Sequence, residues 1–295
     1  MILKVLFERI PAVLCQGSWD TDIASIAMCS KEATNNSLFI CIKGMEQDGH
    51  QYIQEAAERG ATACLVEEAF WKKSVFAHGN LKQPEKKTFA YGKLKLPEQM
   101  TIVSVQNTRE AAAWAAAAFY RYPSKELKVI GITGTKGKTS TTFMIRNILE
   151  AAGYKTGLLG TIDYEIGEEK KRAERTTPEA IDIQRYLRKM ADSGCRFAVM
   201  EVSSQGLKLH RSDGILFDVG VFTNLGRDHI GPKEHKDMAE YAHYKSLLFQ
   251  KCCFGIGNID DPYYREIFKD ASCQVCTYSC RQKADVQASD IMLVN

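Results

Sequence analysis

Residues 131–142, GITGTKGKTSTT, combine regularly spaced glycines with a lysine and several hydroxyl side chains. Glycines let backbone N–H groups approach a phosphate closely, and a following helix adds the dipole of its N-terminus. Lys138 would then reach the β- and γ-phosphates of a nucleotide, and the Thr139 hydroxyl would bind Mg²⁺. The usual phosphate-loop pattern has a glycine where this chain has Ile132, so the spacing is G-x-x-G-x-x-G-K-T. We therefore expect a variant phosphate loop here.

Other polar residues further along the chain have types that suit anions and cations. Thr176 and Thr177 stand before Pro178 at the start of a predicted helix, where two hydroxyls would suit an oxyanion or simply cap the helix. Glu201 ends a predicted buried strand, where a carboxylate is costly unless it is paired or binds a metal. Arg211 suits a carboxylate or a phosphate in a bidentate manner.

Predicted strands and helices alternate from residue 128 onwards. This alternation predicts a doubly wound, mostly parallel sheet, in which ligands bind at the carboxyl ends of the strands. The predicted strands are KVIGIT, KTGLLGT, FAVMEVSS, DVGVFTNL and CCFGIGNI. The predicted helices are TSTTFMIRNILEAAG, PEAIDIQRYLRKMADSG, MAEYAHYKSLLF and DPYYREIFKDA. The candidate residues above follow such strands or open such helices, so we expect them to meet at one edge of the sheet.

A smaller α/β unit precedes this pattern. SLFICI at 37–42 predicts a strand, YIQEAAERG a helix that ends on Gly60, and ATACLVEE another strand. Residues 71–100 show no clear periodicity and predict a surface excursion. A length of 295 residues favours about two domains. We expect a small N-terminal α/β domain over 1–107 and a phosphate-loop domain with a doubly wound, mostly parallel sheet over 108–295.

Composition and charge exclude several classes of function. The net charge of +3 is too small to indicate nucleic-acid binding, and the basic cluster at 170–175 is interspersed with acids and predicts a solvated hairpin. No run approaches the roughly 20 apolar residues that span a bilayer, and AAAWAAAAFY at 111–120 predicts a buried helix. We see no secretory signal and expect a cytoplasmic protein.

The ten cysteines raise the question of a metal site. Cys273 and Cys276 have a spacing that resembles zinc ligands, but they would face opposite sides of a strand. Reduced and mostly buried thiols are therefore the favoured interpretation.

The phosphate loop resembles the ATP loop of the Mur ligases, whose usual form is GTNGKTT. Folylpolyglutamate synthases often have GTKGKGS, so the lysine at position 136 favours that second family. The loop alone does not choose between the two. The resemblance implies that ATP is bound by Gly134, Thr135, Lys136, Gly137, Lys138, Thr139 and Ser140.

Residues 37–68 and MEVSSQGLKLHR at 200–211 resemble the MurE type of Mur ligase. The first stretch resembles the domain that holds the uridine end of UDP-N-acetylmuramoyl peptides in that family. Ser30 lies where the family has Asp-Ser-Arg, although Cys29 and Lys31 depart from that motif. Gln205 replaces a family histidine. The resemblance implies that the substrate is bound by Ser30, Thr176, Thr177, Ser203 and Arg211.

Three later stretches extend the resemblance. FTNLGRDHIGPKEH at 222–235 is similar to FTNLxRDHLDYH, which implies that His229 binds a second Mg²⁺. YAHYKSLLF matches a family helix with a carbamylated lysine at the position of Lys245, which the pattern alone would place on a helix surface. GNIDDP implies that Asn258 lies near the adenine. Three other histidines receive no role: His210, His235 and His243.

The resemblance implies an ATP-dependent amide ligase of peptidoglycan precursor synthesis that uses ATP and Mg²⁺ and acts as a monomer on small molecules. A carboxylate of UDP-MurNAc-L-Ala-D-Glu would form an acyl phosphate, and the amine of L-lysine or meso-diaminopimelate would displace phosphate. The catalytic residues would be Lys138, Glu201, His229 and Lys245. The metal ligands would be Thr139, Glu201, His229 and the carbamate of Lys245.

The family also has a C-terminal domain that binds the incoming amino acid. We expect this chain to lack it and to be inactive by itself. Two alternatives stay open. One is a ligase for another carboxylate acceptor, such as folylpolyglutamate, which Lys136 favours and which the N-terminal domain and the pair Thr176-Thr177 oppose. The other is a non-catalytic remnant that binds a UDP-sugar or ATP.

Overall fold

The structure is a computed structural model that describes residues 1–44, 47–76, 97–232 and 234–292. Most of the surface excursion expected at 71–100 lies outside these described residues. The chain divides into two compact units, Met1–Phe119 and Tyr120–Asn295.

The first unit is built on a sheet with the strand order β1-β5-β4-β3-β2, in which β1 is antiparallel to β5 and the other pairs are parallel. Its strands are β1 (Val13–Gln16), β2 (Ser25–Ala27), β3 (Ser37–Ile40), β4 (Ala61–Glu67) and β5 (Thr101–Val105). Its helices are α1 (Leu3–Leu6), α2 (Ile53–Glu58), α3 (Glu68–Phe76) and α4 (Thr108–Phe119), with 3₁₀ turns at Ser30–Glu32 and Gly49–Tyr52.

Local sequence explains much of this unit. Strands β3 and β5 are buried along their whole length, which suits continuous apolar runs in a parallel sheet. Gly60 follows α2 with φ of +104°, as the helix-ending glycine predicts, and a Cβ there would lie 2.2 Å from Asn35 Oδ1.

Helix α4 lies in the first unit, so the structure divides later than the boundary expected at 107/108. The helix carries a run of buried alanines and contacts α1 and β4. The expected buried helix at 111–120 is thus confirmed through Phe119, but it completes the first core instead of opening the second. In the described parts of the chain, no helix is long and apolar enough to cross a membrane.

The second unit is built on a sheet with the order β14-β13-β12-β11-β6-β10-β7-β8-β9, parallel except for β8 and β9. Its strands are β6 (Lys128–Thr133), β7 (Thr156–Leu159), β8 (Asp163–Ile166), β9 (Glu169–Arg172), β10 (Phe197–Glu201), β11 (Phe217–Phe222), β12 (Cys252–Asn258), β13 (Gln274–Ser279) and β14 (Val286–Gln287). Its helices are α5 (Lys138–Ala151), α6 (Ala180–Asp192), α7 (Ser204–Lys208), α8 (Met238–Ser246) and α9 (Tyr264–Phe268), with 3₁₀ turns at Pro123–Lys125 and Leu247–Gln250.

Apolar side chains cover both faces of this sheet, which confirms the doubly wound architecture. Because side chains alternate along a strand, neighbouring residues of β6 and β10 enter different cores. One core is shared with α6 and includes Val129, Ala198, Met200, Ile183 and Leu187. The other is shared with α5 and includes Ile132, Val199, Val221, Ile145 and Leu149.

The basic cluster at 170–175 begins in the predicted hairpin. Strands β8 and β9 pair in antiparallel register, and Lys170 on β9 contacts Asp163 and Glu165 on β8 at 3.1 Å each. Helix α6 begins at Ala180, not at Pro178, because the extended backbone of Glu179 occupies the N-cap position. The shift leaves the two preceding threonines in the turn before the helix.

Candidate functional site

The phosphate loop connects β6 to α5, as its sequence predicts. Gly137 precedes the helix with φ of +85°, and Gly134 has φ of +152°. A Cβ at Gly134 would lie 1.9 Å from Thr223 Oγ1, so this close approach of two backbones needs glycine. Thr139 and Ser140 lie in the first turn of α5, where backbone N–H groups have no partner within the helix. These groups can bind an anion.

Lys138 folds back over the loop. Its Nζ donates to the carbonyls of Gly134 at 2.8 Å and Thr135 at 3.0 Å. Burial lowers the pKa of Lys138, the carboxylate of Glu201 opposes this shift, and the charge of Lys136 adds to it. A phosphate group beside this partly desolvated ammonium would compensate its charge, so the placement fits the predicted role.

A short segment after β11 forms hydrogen bonds with the phosphate loop. We call residues Thr223–Gly226 the strap. Thr135 N donates to Asn224 O at 2.8 Å, and Lys136 N donates to Asn224 Oδ1 at 2.9 Å. The Asn224 side chain in turn donates to Lys136 O at 3.0 Å, and Thr223 Oγ1 donates to the same carbonyl at 2.7 Å. The strap therefore fixes the backbone of the phosphate loop.

Lys136 stands where Mur ligases have asparagine, and its side chain forms an ion pair with Asp228. Its side chain is 79% exposed, and its Nζ lies 2.9 Å from Asp228 Oδ2. This exposed pair contributes little to stability, and the hydrogen bonds to the strap are made by the backbone of Lys136 and not by its side chain.

Glu201 ends β10 and is 1% exposed. Its Oε1 accepts hydrogen bonds from Thr139 Oγ1 at 3.0 Å and from Thr161 N at 2.8 Å, and its Oε2 accepts from Thr161 Oγ1 at 3.0 Å. A Cβ on Gly160 would lie 2.6 Å from Oε1. Sequence reasoning missed Thr161. The sequence offered only a weak signal, a hydroxyl residue at the end of the predicted strand KTGLLGT, because the pairing of β7 with β10 is a property of the tertiary structure.

The oxygens of Thr139 and Glu201 suit a hard cation such as Mg²⁺. In the described ranges, no group of three or more His, Cys, Asp or Glu side chains is placed to hold a metal together. The protein oxygens therefore fit a magnesium ion only if phosphate oxygens and water complete its octahedron. That is the usual arrangement for this ion in nucleotide sites.

His229 is paired with a carboxylate other than Glu201. Its Nδ1 is 2.6 Å from Glu234 Oε1, and its side chain is about half exposed. It nevertheless lines the same small pocket as Lys138, Ser203, Gln205 and Lys245. Its role as a second metal ligand stays a prediction.

Lys245 is buried, contrary to the surface position that the pattern alone suggests. It is 1% exposed, its Nζ donates to Gly134 O at 2.9 Å, and it lies 4.4 Å from the centre of the Tyr241 ring. Burial lowers the pKa of Lys245 well below its ordinary value, and the charge of Lys138 adds to this. A neutral amine has the lone pair that attacks CO₂, so the environment fits the expected carbamate, which stays a prediction.

Gln205, which stands where the family has histidine, is close to this amine. Its Oε1 is buried and has no hydrogen-bond partner among the described residues. Buried His235, which received no role from the sequence, lines the same pocket, and its Nε2 lies 2.9 Å from Ser204 Oγ.

Three of the predicted substrate residues, Thr177 before α6 and Ser203 and Arg211 after β10, form one hydrogen-bonded group. Thr177 Oγ1 donates to Glu201 O at 3.0 Å and accepts from Ser203 N at 3.0 Å. Arg211 Nη1 donates to Thr177 O at 3.1 Å, and its Nη2 lies 2.8 Å from Glu179 Oε1. Ser203 Oγ caps α7. These side chains therefore form hydrogen bonds within the chain, and their role in substrate binding stays a prediction.

Thr176 differs from its buried neighbour. Its hydroxyl is partly exposed and lies 3.1 Å from Thr161 Oγ1, to which it can donate because Thr161 gives its own hydrogen to Glu201. Since Thr161 also bonds to Glu201, Thr176 is linked to the predicted metal ligand through one intervening residue.

Ser30 lies in the first unit, in a cleft of ≈ 870 Å³. Its Oγ donates to Glu55 Oε2 at 2.9 Å, and Glu55 also accepts from Arg59. The cleft has the size of a small-molecule site and lies beyond the carboxyl ends of β2 and β3. It is lined by Met28, Cys29, Ser30, Lys31, Phe39, Ile42, Gly44, Gln47, Gly49, Tyr52 and Glu55.

Asn258 ends β12 beside the strap. Its Nδ2 donates to Thr223 O at 2.8 Å, and its Oδ1 accepts from Asp260 N at 3.0 Å. Both ends of the side chain are thus engaged within the chain.

Comparisons with known proteins agree with this architecture. Residues 132–294 match the Mur ligase middle domain, and residues 22–120 match the domain described as Mur ligase family, catalytic domain. The UDP-N-acetylmuramoyl-L-alanyl-D-glutamate--2,6-diaminopimelate ligase of Clostridium tetani is 37% identical over 293 residues, which are 99% of this chain and 56% of that protein. The ligase of the same name from Bacillus licheniformis is 38% identical over 286 residues, 94% of this chain and 53% of that protein.

Solved structures show the same fold. A structure described as UDP-N-acetylmuramoyl-L-alanyl-D-glutamate--2,6-diaminopimelate ligase has a TM-score of 0.75 at 21% identity, covering 98% of this chain and 55% of that one. MurF from Acinetobacter baumannii has a TM-score of 0.63 at 21% identity, over 99% and 56% of the two chains. The chain spans about half the length of the relatives it matches. Since the middle-domain match alone covers more than half of the 295 residues, the chain belongs to the Mur ligase family.

Proposed function

We propose that this chain binds the nucleotide and the nucleotide-sugar peptide in an ATP-dependent ligase that joins a diamino acid to UDP-MurNAc-L-Ala-D-Glu. One observation carries the proposal: buried Glu201 accepts a hydrogen bond from Thr139 at the head of the phosphate-loop helix. That placement provides two oxygens for a Mg²⁺ beside a triphosphate. The names of the relatives favour diaminopimelate over L-lysine as the amino acid. We further propose a cytoplasmic monomer.

In the proposed reaction, a substrate carboxylate oxygen attacks the γ-phosphorus of ATP, and ADP leaves. The amine nitrogen then attacks the acyl carbon, phosphate leaves and the nitrogen loses a proton. Mg²⁺, when bound by Thr139 and Glu201, neutralises charge on the phosphates. Lys138 and the first-turn N–H groups of α5 bind the triphosphate and neutralise charge that develops on the transferring group. Thr176 and Arg211 orient the muramoyl peptide.

The uridine end would bind in the cleft around Ser30. The hydroxyl hydrogen of Ser30 is donated to Glu55, which leaves the oxygen lone pairs of Ser30 for a donor group of the ligand. A carboxylate beside that hydroxyl disfavours a phosphate at the same position. We therefore place the base or the ribose there, and not the pyrophosphate.

Calorimetric titration with UDP-MurNAc-L-Ala-D-Glu tests this function, with Mg²⁺ and a non-hydrolysable ATP analogue present. We expect saturable binding that Arg211→Ala weakens about tenfold or more, as expected for the loss of a charged hydrogen bond. Arg185→Ala is the matched control, because Arg185 is an exposed arginine of α6 paired with Asp182. Thermal unfolding of each variant shows that it is folded.

Binding of the ATP analogue without any binding of the muramoyl peptide, by a folded chain, would overturn the assignment. It would favour another carboxylate acceptor, and titration with a folylpolyglutamate would be the next measurement. Binding of neither ligand would contradict the nucleotide site itself.

A further inference from the structure

We infer that Asn258 and Asp261 are positioning residues for the phosphate loop, and that they act through the strap, Thr223–Gly226. This inference rests on the proposed nucleotide binding. It gives Asn258 a role different from the contact with adenine that the family resemblance implies. It also gives a role to Asp261, which sequence reasoning did not single out.

The strap and the phosphate loop form one hydrogen-bonded unit. Both backbone groups of Lys136 bond to the Asn224 side chain, its N–H to Oδ1 and its carbonyl to Nδ2. Thr135 contacts the strap through two of its polar groups: its N–H donates to Asn224 O at 2.8 Å, and its hydroxyl accepts from Gly226 N at 2.9 Å. The conformation of the loop therefore depends on where the strap lies.

The opposite side of the strap is held from β12 and the turn after it. Asn258 Nδ2 donates to Thr223 O at 2.8 Å, and Asp261 Oδ2 accepts from Leu225 N at 2.9 Å. Strand pairing sets this arrangement, because Phe222 on β11 lies opposite Gly257 on β12 in parallel register. Thr223, the first residue after β11, therefore lies beside Asn258, the last residue of β12.

The remaining polar atoms of the two side chains fix their own orientation. Asn258 Oδ1 accepts from Asp260 N at 3.0 Å, and Asp261 Oδ1 accepts from Tyr263 N at 2.9 Å. Each side chain thus connects the turn after β12 to the strap. One amide hydrogen of Asn258 and its carbonyl oxygen are thus engaged between the turn and the strap, which favours a positioning role for this side chain.

Measuring the affinity for a ligand with a base and for a ligand without one distinguishes positioning of the phosphate loop from contact with the base. We would measure binding of Mg²⁺ with a non-hydrolysable ATP analogue and of Mg²⁺ with tripolyphosphate, which has no base. Asn258→Ala and Asp261→Ala should each weaken both ligands by a similar factor, about fivefold or more for the loss of one hydrogen bond. Asp261→Asn should be intermediate, because its single carbonyl oxygen serves only one of the two N–H groups. Asp270→Ala, at an exposed position after α9, is the control.

A loss of affinity for the ATP analogue alone in Asn258→Ala would establish a base contact and overturn the inference for that residue. Unchanged affinities in both alanine variants would overturn it entirely.

A second measurement uses the protein without nucleotide. Amide hydrogen exchange at Thr135 and Lys136 should be at least about fivefold faster in Asp261→Ala, because these N–H groups donate to Asn224. Exchange at Val199 in β10 should be unchanged. If the wild-type protein binds neither ligand, the proposed function fails, and the exchange rates alone decide the inference. Unchanged rates at the two loop amides would overturn it.

Discussion

The carboxylate of Glu201 and the hydroxyl of Thr139 lie 3.0 Å apart at the carboxyl edge of the second sheet, although 62 positions separate them in the chain. Parallel strands β6 and β10 are direct neighbours, so the helix after one and the last residue of the other converge. The pair joins the phosphate loop to a buried negative charge, which is the arrangement that a magnesium nucleotide needs.

Replacing Glu201 with glutamine tests this pair. The change keeps an acceptor oxygen for Thr139 but removes the charge, so the chain should stay folded and lose part of its affinity for Mg²⁺. We expect the gain in affinity for the ATP analogue on adding Mg²⁺ to fall about tenfold, or ~1.4 kcal/mol. Titrations with Mg²⁺ and with a chelator measure this gain. Glu168→Gln, at a position 91% exposed, should behave as the wild type; an unchanged gain in Glu201→Gln would contradict the proposed metal role.

Gly134→Ala should damage the phosphate loop. The new Cβ would meet Thr223 Oγ1 at 1.9 Å in a backbone conformation with φ of +152°. We expect a loss of about 1–3 kcal/mol in the free energy of unfolding, together with weaker nucleotide binding. Urea unfolding measures the change in the free energy of unfolding. Gly231→Ala is the control, because a Cβ there has nothing within 4 Å and should change stability by less than about 0.5 kcal/mol.

The two adjacent threonines before α6 should differ in their effects. Thr177→Val removes a buried hydroxyl that serves Glu201 O and Ser203 N, and should cost about 1–3 kcal/mol of stability. Thr176→Val should change stability by less than about 0.5 kcal/mol, since its hydroxyl is partly exposed. It should instead weaken binding of the muramoyl peptide. Equal losses of stability in the two variants would argue that Thr176 is structural as well.

The charge state of Lys245 predicts a pH dependence of stability. Because burial lowers the pKa of Lys245 in the folded chain, the unfolded chain retains this proton up to a higher pH. Between the lowered pKa and the ordinary value of about 10.4, the free energy of unfolding therefore rises with pH, by at most about 1.4 kcal/mol per unit. Below the lowered pKa, the cost of burying the charge is present in full.

Lys245→Met should remove this contribution. Urea unfolding in carbonate-free buffer, at neutral and at mildly alkaline pH, should show wild type gaining stability relative to Lys245→Met as pH rises. Lys189→Met, which alters a half-exposed lysine, should follow the wild type. Parallel pH profiles for wild type and Lys245→Met would show that the buried amine does not titrate in this range.

Local patterns predicted several features that the structure confirms. The phosphate loop lies between β6 and α5, Gly60 ends α2 with positive φ, and the basic cluster begins in a hairpin. The alternation of strands and helices predicted the doubly wound sheet. Such features follow from the spacing of residue types within about ten positions, because the periodicity of strands and helices and the geometry of turns depend on residues close together in the chain.

The sequence alone therefore determined the alternation of strands and helices in the second unit, the phosphate loop and the types of the reactive residues. Only the tertiary structure decided that Thr161 bonds to Glu201, that Asn224 fixes the phosphate loop and that Lys245 is buried. It also placed α4 in the first unit. These relationships join residues that are distant along the chain. They depend on which strands become neighbours, and strand order is set by the free energy of packing the whole core rather than by any local spacing.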